Sequence, residues 1–95
     1  MKVKVQYFAA VRELVGLREE ILELPDLSNV GILLGELVRR HGERLREYLF
    51  DTKTGNLRQS IQFLIGDKPV LGAGAASTIL PDGVVFAIIP PVGGG

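Results

Sequence analysis

The last six residues of the chain, PPVGGG, join a stiff segment to an end without side chains. Proline fixes φ and lacks an N–H, so Pro90 and Pro91 end strand pairing and direct the chain outward. Gly93, Gly94 and Gly95 lack a Cβ and can enter a slot that is too narrow for any side chain. We expect this end to carry a reachable α-carboxylate on Gly95. By attacking the α-phosphate of ATP, that carboxylate would form an acyl-adenylate, from which a sulfur or amine nucleophile displaces AMP.

The remaining residues suggest little other chemistry. The chain contains no cysteine, which excludes disulfides, thiolate metal sites and a cysteine nucleophile. Its single histidine, His41, falls near the end of a predicted helix, where we expect a structural or capping role. The GAGAAS stretch at 72–77 lacks the lysine and the following helix of a phosphate-binding loop. We therefore expect neither a metal site nor a bound cofactor.

Charge and hydropathy limit the function classes further. Lysine plus arginine total 11 and aspartate plus glutamate total 11, so the formal charge is zero, which argues against a nucleic-acid-binding surface. The opening MKVKVQYF is too short and too strand-like for a signal peptide. No apolar run approaches the about 18 residues of a membrane span. We therefore expect a cytoplasmic protein that contacts neither nucleic acid nor membrane.

The chain opens with an alternating pattern that predicts two paired strands. Residues 2–8 alternate between apolar and polar side chains, and Val3, Val5 and Tyr7 share the apolar face. A short helical segment follows, and residues 17–24 then predict a second strand. Because the connection is short, the two strands should be antiparallel.

A helical pattern occupies the middle of the chain. Apolar residues over 30–41 recur with the spacing of a helix that has one buried face. Asp26 or Ser28 is predicted to cap its first turn, because a short side-chain oxygen can accept a hydrogen bond from a free N–H there. A second short helical piece is predicted over 43–49.

Strand patterns return in the second half. Residues 61–65 alternate and predict a third strand, 70–71 a short edge strand, and 84–89 a strand that is apolar on both faces. A strand of the last kind belongs in the middle of a sheet or under a partner.

This order of elements, β-β-α-β-(β)-β, predicts an α+β, ubiquitin-like β-grasp fold. Its mixed sheet has four to five strands, with the terminal strands adjacent and one main helix packed across one face. We assign residues 1–91 to this domain and residues 92–95 to a flexible C-terminal glycine tail.

Two stretches of the sequence carry a resemblance to a known family. YFAAVRELVG at residues 7–16 resembles the family's opening strand and turn, and TILPDGVVFAIIPPVGGG at residues 78–95 resembles its closing strand and diglycine tail. The chain thus resembles the MoaD-type small subunits of molybdopterin synthase, which are ubiquitin-like sulfur carriers. The resemblance extends along nearly the whole chain. The chain departs from the family's pattern after the Asp82-Gly83 turn, where an acidic residue is common and this chain has Val84.

The resemblance implies a function that no residue pattern alone would establish. In this family an E1-like adenylyltransferase uses ATP to adenylate the terminal glycine, which then becomes a thiocarboxylate. The tail inserts into the large synthase subunit and gives its sulfur to a pterin precursor, making the dithiolene that binds molybdenum or tungsten. Carried over, Gly95 holds the adenylate and then the sulfur, while Pro91, Val92, Gly93 and Gly94 occupy the partner's tail channel. The chain would then be no enzyme alone, but active only within the synthase complex.

The final strand also suggests where partners bind. Phe86 and Ile88 share one face, and Val85, Ala87 and Ile89 share the other. One set should belong to the core, and the other, if uncovered, is a candidate partner patch. We assign the partner surface to Phe86 and Ile88, together with Phe8.

Two alternative functions remain open from the sequence. The tail chemistry could serve another destination, such as tRNA thiolation, thiamine sulfur transfer or protein conjugation. The chain could instead be a non-covalent β-grasp interaction module with an inert tail.

Overall fold

The computed structural model describes residues 1–70 and 74–91, which fold around one five-stranded sheet. The strands are β1 (Lys2–Tyr7), β2 (Glu19–Glu23), β3 (Gln62–Ile65), β4 (Lys68–Val70) and β5 (Val85–Ile89). The helices are α1 (Ala9–Val15), α2 (Val30–His41) and α3 (Glu43–Leu49), with a short 3₁₀ helix at Ala75–Ser77. This order confirms the predicted ubiquitin-like β-grasp fold, and it uses five strands rather than four.

The sheet has the order β2-β1-β5-β3-β4, with β5 at its centre. β1 and β5 are parallel, whereas the β1–β2, β3–β5 and β3–β4 pairs are antiparallel. The apolar character of β5 on both faces therefore predicted its position correctly. The terminal strands lie side by side, so the last strand of the chain is hydrogen-bonded on both edges.

The core lies between one face of the sheet and the three helices. α2 contributes Val30, Leu33, Leu34, Leu37 and Val38, all of them buried, as its periodicity predicted. Facing residues of the sheet are equally inaccessible, and they are Val3, Val5, Tyr7, Leu22, Phe63, Phe86 and Ile88. Since a buried aliphatic or aromatic side chain contributes about 1.5–3 kcal/mol relative to exposure, this layer dominates the stability of the domain.

The first turn of α2 differs from its prediction. Asn29 is the N-cap, and its Oδ1 accepts a 2.8 Å hydrogen bond from the backbone N–H of Ile32. The prediction of Asp26 or Ser28 as the cap is wrong. The Ser28 hydroxyl is instead 2.6 Å from the carbonyl oxygen of Pro25, to which it donates. Residue 29 occupies the cap because its own backbone is still extended, with φ −106° and ψ 177°.

The two glycines of α2, Gly31 and Gly35, differ in how closely other residues approach them. A Cβ on Gly31 would lie 3.2 Å from the carbonyl oxygen of Ala76, so the absent side chain lets the 3₁₀ helix pack closely. A Cβ on Gly35 would have no described neighbour within 4 Å beyond the adjacent residues and the backbone of its own helix. Close packing therefore favours a glycine at position 31 but not at position 35.

Candidate functional site

The register of β1 and β5 determines where the chain leaves the sheet. Ile88 lies opposite Tyr7 in the parallel pair, so the end of β5 lies beside the end of β1 and the start of α1. Pro90 is buried and Pro91 is exposed, which puts the transition from core to solvent at the proline pair. We call this end of the sheet the tail root, meaning Ile89, Pro90 and Pro91. Val92, Gly93, Gly94 and Gly95 lie outside the described residues, so their predicted roles, and the proposed boundary at residue 92, stay predictions.

The tail root is held by a rigid strand. The carbonyl oxygen of Val84 accepts a 3.0 Å hydrogen bond from the N–H of Lys4, and the N–H of Gly83 donates to the carbonyl of Lys2 at 2.7 Å. Gly83 adopts φ +78°, a left-handed conformation that glycine reaches without strain, in the predicted turn. With ladders on both edges and an anchored turn before it, β5 delivers the chain to Pro91 in one fixed direction.

Phe8 and Arg12 lie beside the tail root. Phe8 is half-buried and precedes α1, and the guanidinium carbon of Arg12 lies 5.6 Å from the centre of its ring. Arg12 Nε also donates a 3.0 Å hydrogen bond to the carbonyl oxygen of Tyr7. Phe8 therefore offers part of its ring to solvent next to the point where the chain emerges, although its role in partner binding stays a prediction.

The structure corrects the rest of the predicted partner surface. Phe86 and Ile88 are fully buried, and Phe86 stacks against Phe63 with ring centres 5.7 Å apart. They belong to the core because they lie opposite Val5 and Tyr7 in the parallel ladder, and neighbouring residues of paired strands point to the same side. The register alone would have settled this, since Val5 and Tyr7 were already predicted as core.

The helix-free face of the sheet carries the alternative set. Val85 and Ile89 are partly exposed on β5, and Leu64 of β3 is also partly exposed. Ala87 lies between them, opposite Leu64, and is 5% exposed. These residues form a shallow apolar strip that leads to the tail root, and they are the set left open as a partner patch by the pattern of β5.

On the core side of the same end lies a polar cluster that the sequence did not reveal. Oε2 of Glu20 accepts hydrogen bonds from the Tyr7 hydroxyl at 2.5 Å and from Nε2 of His41 at 2.6 Å. Because a carboxylate has no proton to give, Nε2 is the donor. Nη1 of Arg40 lies 3.5 Å from Oε1 of Glu20. The cluster thus joins β1, β2 and the end of α2.

The cluster shifts the pKa values of Tyr7 and Glu20. Burial raises the pKa of Tyr7 far above its ordinary value, and the hydrogen bond to the Glu20 carboxylate adds to this. Burial alone would raise the pKa of Glu20, but the hydrogen bonds from Tyr7 and His41 and the charge of Arg40 outweigh it and lower that pKa. The structural role predicted for His41 agrees with this geometry. The sequence did contain a sign that Glu20 is partly buried, because the alternation of β2 places Glu20 on the same inward face as Leu22.

Three arginines of α2 and α3 form ion pairs with glutamates of their own helices. Arg39 and Arg40 both bind Glu36, at 2.6 and 3.2 Å, and these hydrogen bonds lower the pKa of Glu36 to about 2. Arg46 pairs with Glu43 at 3.0 Å. Within the basic run of residues 39–46, Arg39, Arg40 and Arg46 thus make local ion pairs, whereas Arg44 is exposed and makes no ion pair with the described residues.

Two other kinds of feature are absent from the described residues. Within residues 1–70 and 74–91, no three His, Cys, Asp or Glu side chains lie close enough together to hold a metal ion. No helix in that part of the chain has the length and apolar character needed to cross a membrane.

Comparison with known proteins gives the family. The model of the ThiS family matches residues 5–95. The chain belongs to the ThiS family. It is 30% identical to the molybdopterin synthase sulfur carrier subunit of Chlamydomonas reinhardtii and 26% identical to small archaeal modifier protein 3 of Haloferax volcanii, and both matches cover 100% of each chain.

The fold of this ThiS-family chain is also shared from end to end with a solved structure. Superposition on the crystal structure of small archaeal modifier protein 1 from Haloferax volcanii gives a TM-score of 0.84, with 26% identity and 100% of both chains covered. The chain is therefore a ubiquitin-like sulfur carrier or modifier of the ThiS family, and its relatives include proteins named for each of these two roles.

Proposed function

We propose that this chain is the sulfur-carrier small subunit of molybdopterin synthase. The observation that carries the proposal is the 30% identity, over the whole of both chains, to the carrier subunit of Chlamydomonas reinhardtii. In this role Gly95 is adenylated, converted to a thiocarboxylate, and gives its sulfur to a pterin precursor of the molybdenum or tungsten cofactor.

In the proposed chemistry, the folded domain presents the Gly95 carboxylate to partner enzymes, and this carboxylate is the group that reacts. One oxygen of the Gly95 carboxylate attacks the α-phosphorus of ATP, and pyrophosphate leaves. A hydrosulfide ion released by the sulfur donor then attacks the adenylated carbonyl, the bond to AMP breaks, and a thiocarboxylate remains. Gly93 and Gly94 lack side chains and so allow the carbonyl to enter a narrow channel, while Pro91 and Val92 fill its mouth. ATP is used at the site of the adenylating enzyme, and the carrier holds no cofactor of its own.

Two partners follow from this proposal, an E1-like adenylyltransferase and the large catalytic subunit of the synthase. Each must surround the tail root, because a tail of four residues reaches only about 14 Å beyond Pro91. Phe8 and the apolar strip of Leu64, Val85 and Ile89 are the surfaces that such a partner meets first. The carrier acts only within these complexes, in the cytoplasm.

Intact-protein mass spectrometry tests the proposal. The chain is incubated with the adenylating enzyme of its own organism, ATP and a sulfur donor, with a reaction lacking ATP as the control. The expected result is a mass gain equal to the replacement of one oxygen atom by sulfur, confined to the C-terminal peptide. An unchanged mass, with an enzyme that thiolates its other carriers, contradicts it.

A second candidate function is protein conjugation, which is favoured by the likeness to two archaeal modifiers. The adenylated Gly95 would then react with a lysine amine instead of a sulfur donor, and AMP would leave as before. Conjugation predicts larger adducts on a denaturing gel, which disappear when Gly94 and Gly95 are deleted. Sulfur transfer to tRNA would use the same Gly95 thiocarboxylate as cofactor synthesis. Loss of thiolated tRNA in a strain lacking the gene would identify that function.

A further inference from the structure

Two arginines line a cavity beside the end of β1 and make no ion pair with the described residues. Arg12 and Arg18 line an open cavity of about 490 Å³, together with Gln6, Phe8 and Glu19. Both are attached to the same residue, because Arg12 Nε donates to the carbonyl of Tyr7 at 3.0 Å and the N–H of Tyr7 donates to the carbonyl of Arg18 at 2.9 Å. Among the described residues, neither guanidinium lies within 4.0 Å of a carboxylate.

Arg12 is fixed in place before any partner binds. Its Nε is used by the Tyr7 carbonyl and its guanidinium stacks over the Phe8 ring, so the two contacts orient the group. The terminal Nη groups make no hydrogen bond to the described residues. A planar guanidinium held in this way presents a fork that matches a carboxylate, with little rotamer entropy left to lose.

The charge balance of the cavity favours an anion. Glu19 is the one acidic residue in its lining, and its carboxylate is engaged by Lys4 Nζ at 3.4 Å. The cavity therefore holds two guanidinium groups and one carboxylate, and neither guanidinium makes an ion pair with that carboxylate. By contrast, Arg39, Arg40 and Arg46 each bind a glutamate elsewhere on the surface.

The cavity also adjoins the point where a partner must bind. Tyr7 lies opposite Ile88, so Phe8 and Arg12 flank the tail root on the side of β1. A protein that draws the tail into a channel covers this side of the sheet, and a carboxylate on its surface would meet the two arginines.

We propose that Arg12, Arg18 and Phe8 form a carboxylate-binding subsite near the tail root, which takes an acidic segment of the E1-like adenylating enzyme. The inference rests on the proposed function for the identity of that partner. The subsite itself depends only on the geometry of residues 6–19.

The first experiment tests the subsite without any partner. The ¹⁵N-labelled full chain is titrated with an acetylated tetraglutamate peptide, and the Nε–Hε signals of Arg12, Arg18 and Arg44 are followed by NMR. Arg44 is the matched control, since it is exposed and makes no ion pair among the described residues. We expect saturable shifts at Arg12 and Arg18, none at Arg44, and none with tetralysine. Equal shifts at all three arginines, or no shift at Arg12 and Arg18, overturn the subsite.

The second experiment adds the partner. Binding of the adenylating enzyme is measured by calorimetry for the wild-type chain and for the R18E and R44E variants, each also lacking Gly94 and Gly95 so that no chemistry occurs. R18E is chosen because the Arg18 side chain is exposed and makes no hydrogen bond to the described residues, so the fold is retained. We expect R18E to weaken binding about tenfold and to reduce its salt dependence, with R44E unchanged.

The two experiments separate two failures. If R18E binds as tightly as R44E, the subsite is wrong, whereas sulfur transfer to the wild-type chain still supports the proposed function. If the wild-type chain gains no sulfur but the peptide shifts only Arg12 and Arg18, the proposed function is wrong and the carboxylate subsite stands.

Discussion

The two sides of Tyr7 differ in how their polar groups are paired. Both sides lie at the same end of the molecule. On the core side, its hydroxyl enters a cluster in which Glu20 is surrounded by donors from Tyr7, His41 and Arg40. On the outer side, its carbonyl holds Arg12, whose guanidinium meets no carboxylate of the described residues. A satisfied polar cluster stabilises one arrangement of strands and helix, whereas an oriented but unpaired charge is available to another molecule. One end of the fold thus combines a hydrogen-bonded polar cluster on the core side with an arginine that is available for binding on the outer side.

The largest expected effect comes from the core beneath the tail root. The F86A substitution removes a fully buried ring that stacks on Phe63, so we expect the free energy of unfolding to fall by about 3–5 kcal/mol. Urea denaturation followed by circular dichroism measures it. The matched variant is I89A on the outer face, which should lose clearly less. Equal losses would mean that the two faces of β5 do not differ as described.

The polar cluster should give the next largest effect. The E20A substitution leaves the Tyr7 hydroxyl and the His41 ring without their acceptor, and we expect it to lower the free energy of unfolding by about 2 kcal/mol. Its neighbour Glu19 faces outward and pairs with Lys4 at the surface, so E19A should cost at most about 0.5 kcal/mol. If the two variants are equally stable, the cluster contributes nothing beyond an ordinary surface pair.

The same cluster predicts a pH dependence. Glu20 has a lower pKa when folded than the ordinary value of 4.5, so the unfolded chain binds more protons in the window between the two values. The stabilising contribution of Glu20 is therefore complete above that ordinary value and is lost as the pH falls through the folded pKa. Stability measured from pH 7 downward should decline more steeply for the wild-type chain than for E20Q. Parallel curves would contradict the lowered pKa.

The outer side should give the smallest change in stability. Arg18 is exposed and its side chain makes no hydrogen bond to the described residues, so R18E should alter the free energy of unfolding by less than about 0.5 kcal/mol. Thermal unfolding checks this directly. A larger loss would place Arg18 in the structural part of the molecule and would remove it from the partner surface.

Most of the fold was predictable because its patterns are local. The alternation of β1, the helical period of α2 and the doubly apolar β5 each report burial, and burial determined the order and position of these elements. The choice between Phe86 and Val85 as core was not local, since it depends on the register between the first and last strands. The cap at Asn29 was missed for a similar reason, because Asp26, Ser28 and Asn29 can all cap a helix and only the backbone path selects one.

The candidate site was predictable only in part. The proline pair identified where the chain leaves the sheet, and Pro90 and Pro91 do mark the change from buried to exposed. The contacts of Glu20 with His41 and of Arg12 with Tyr7 join residues on different elements, so their approach follows from packing and not from spacing.

Deletion of Gly95 is the most direct test of the central claim, that a fixed β-grasp base presents a working C-terminal carboxylate. We predict that the shortened chain unfolds at the same urea concentration as the wild type but no longer supports synthesis of the pterin cofactor in a strain lacking the gene. Cofactor synthesis that continues at the wild-type level without Gly95 would contradict the claim.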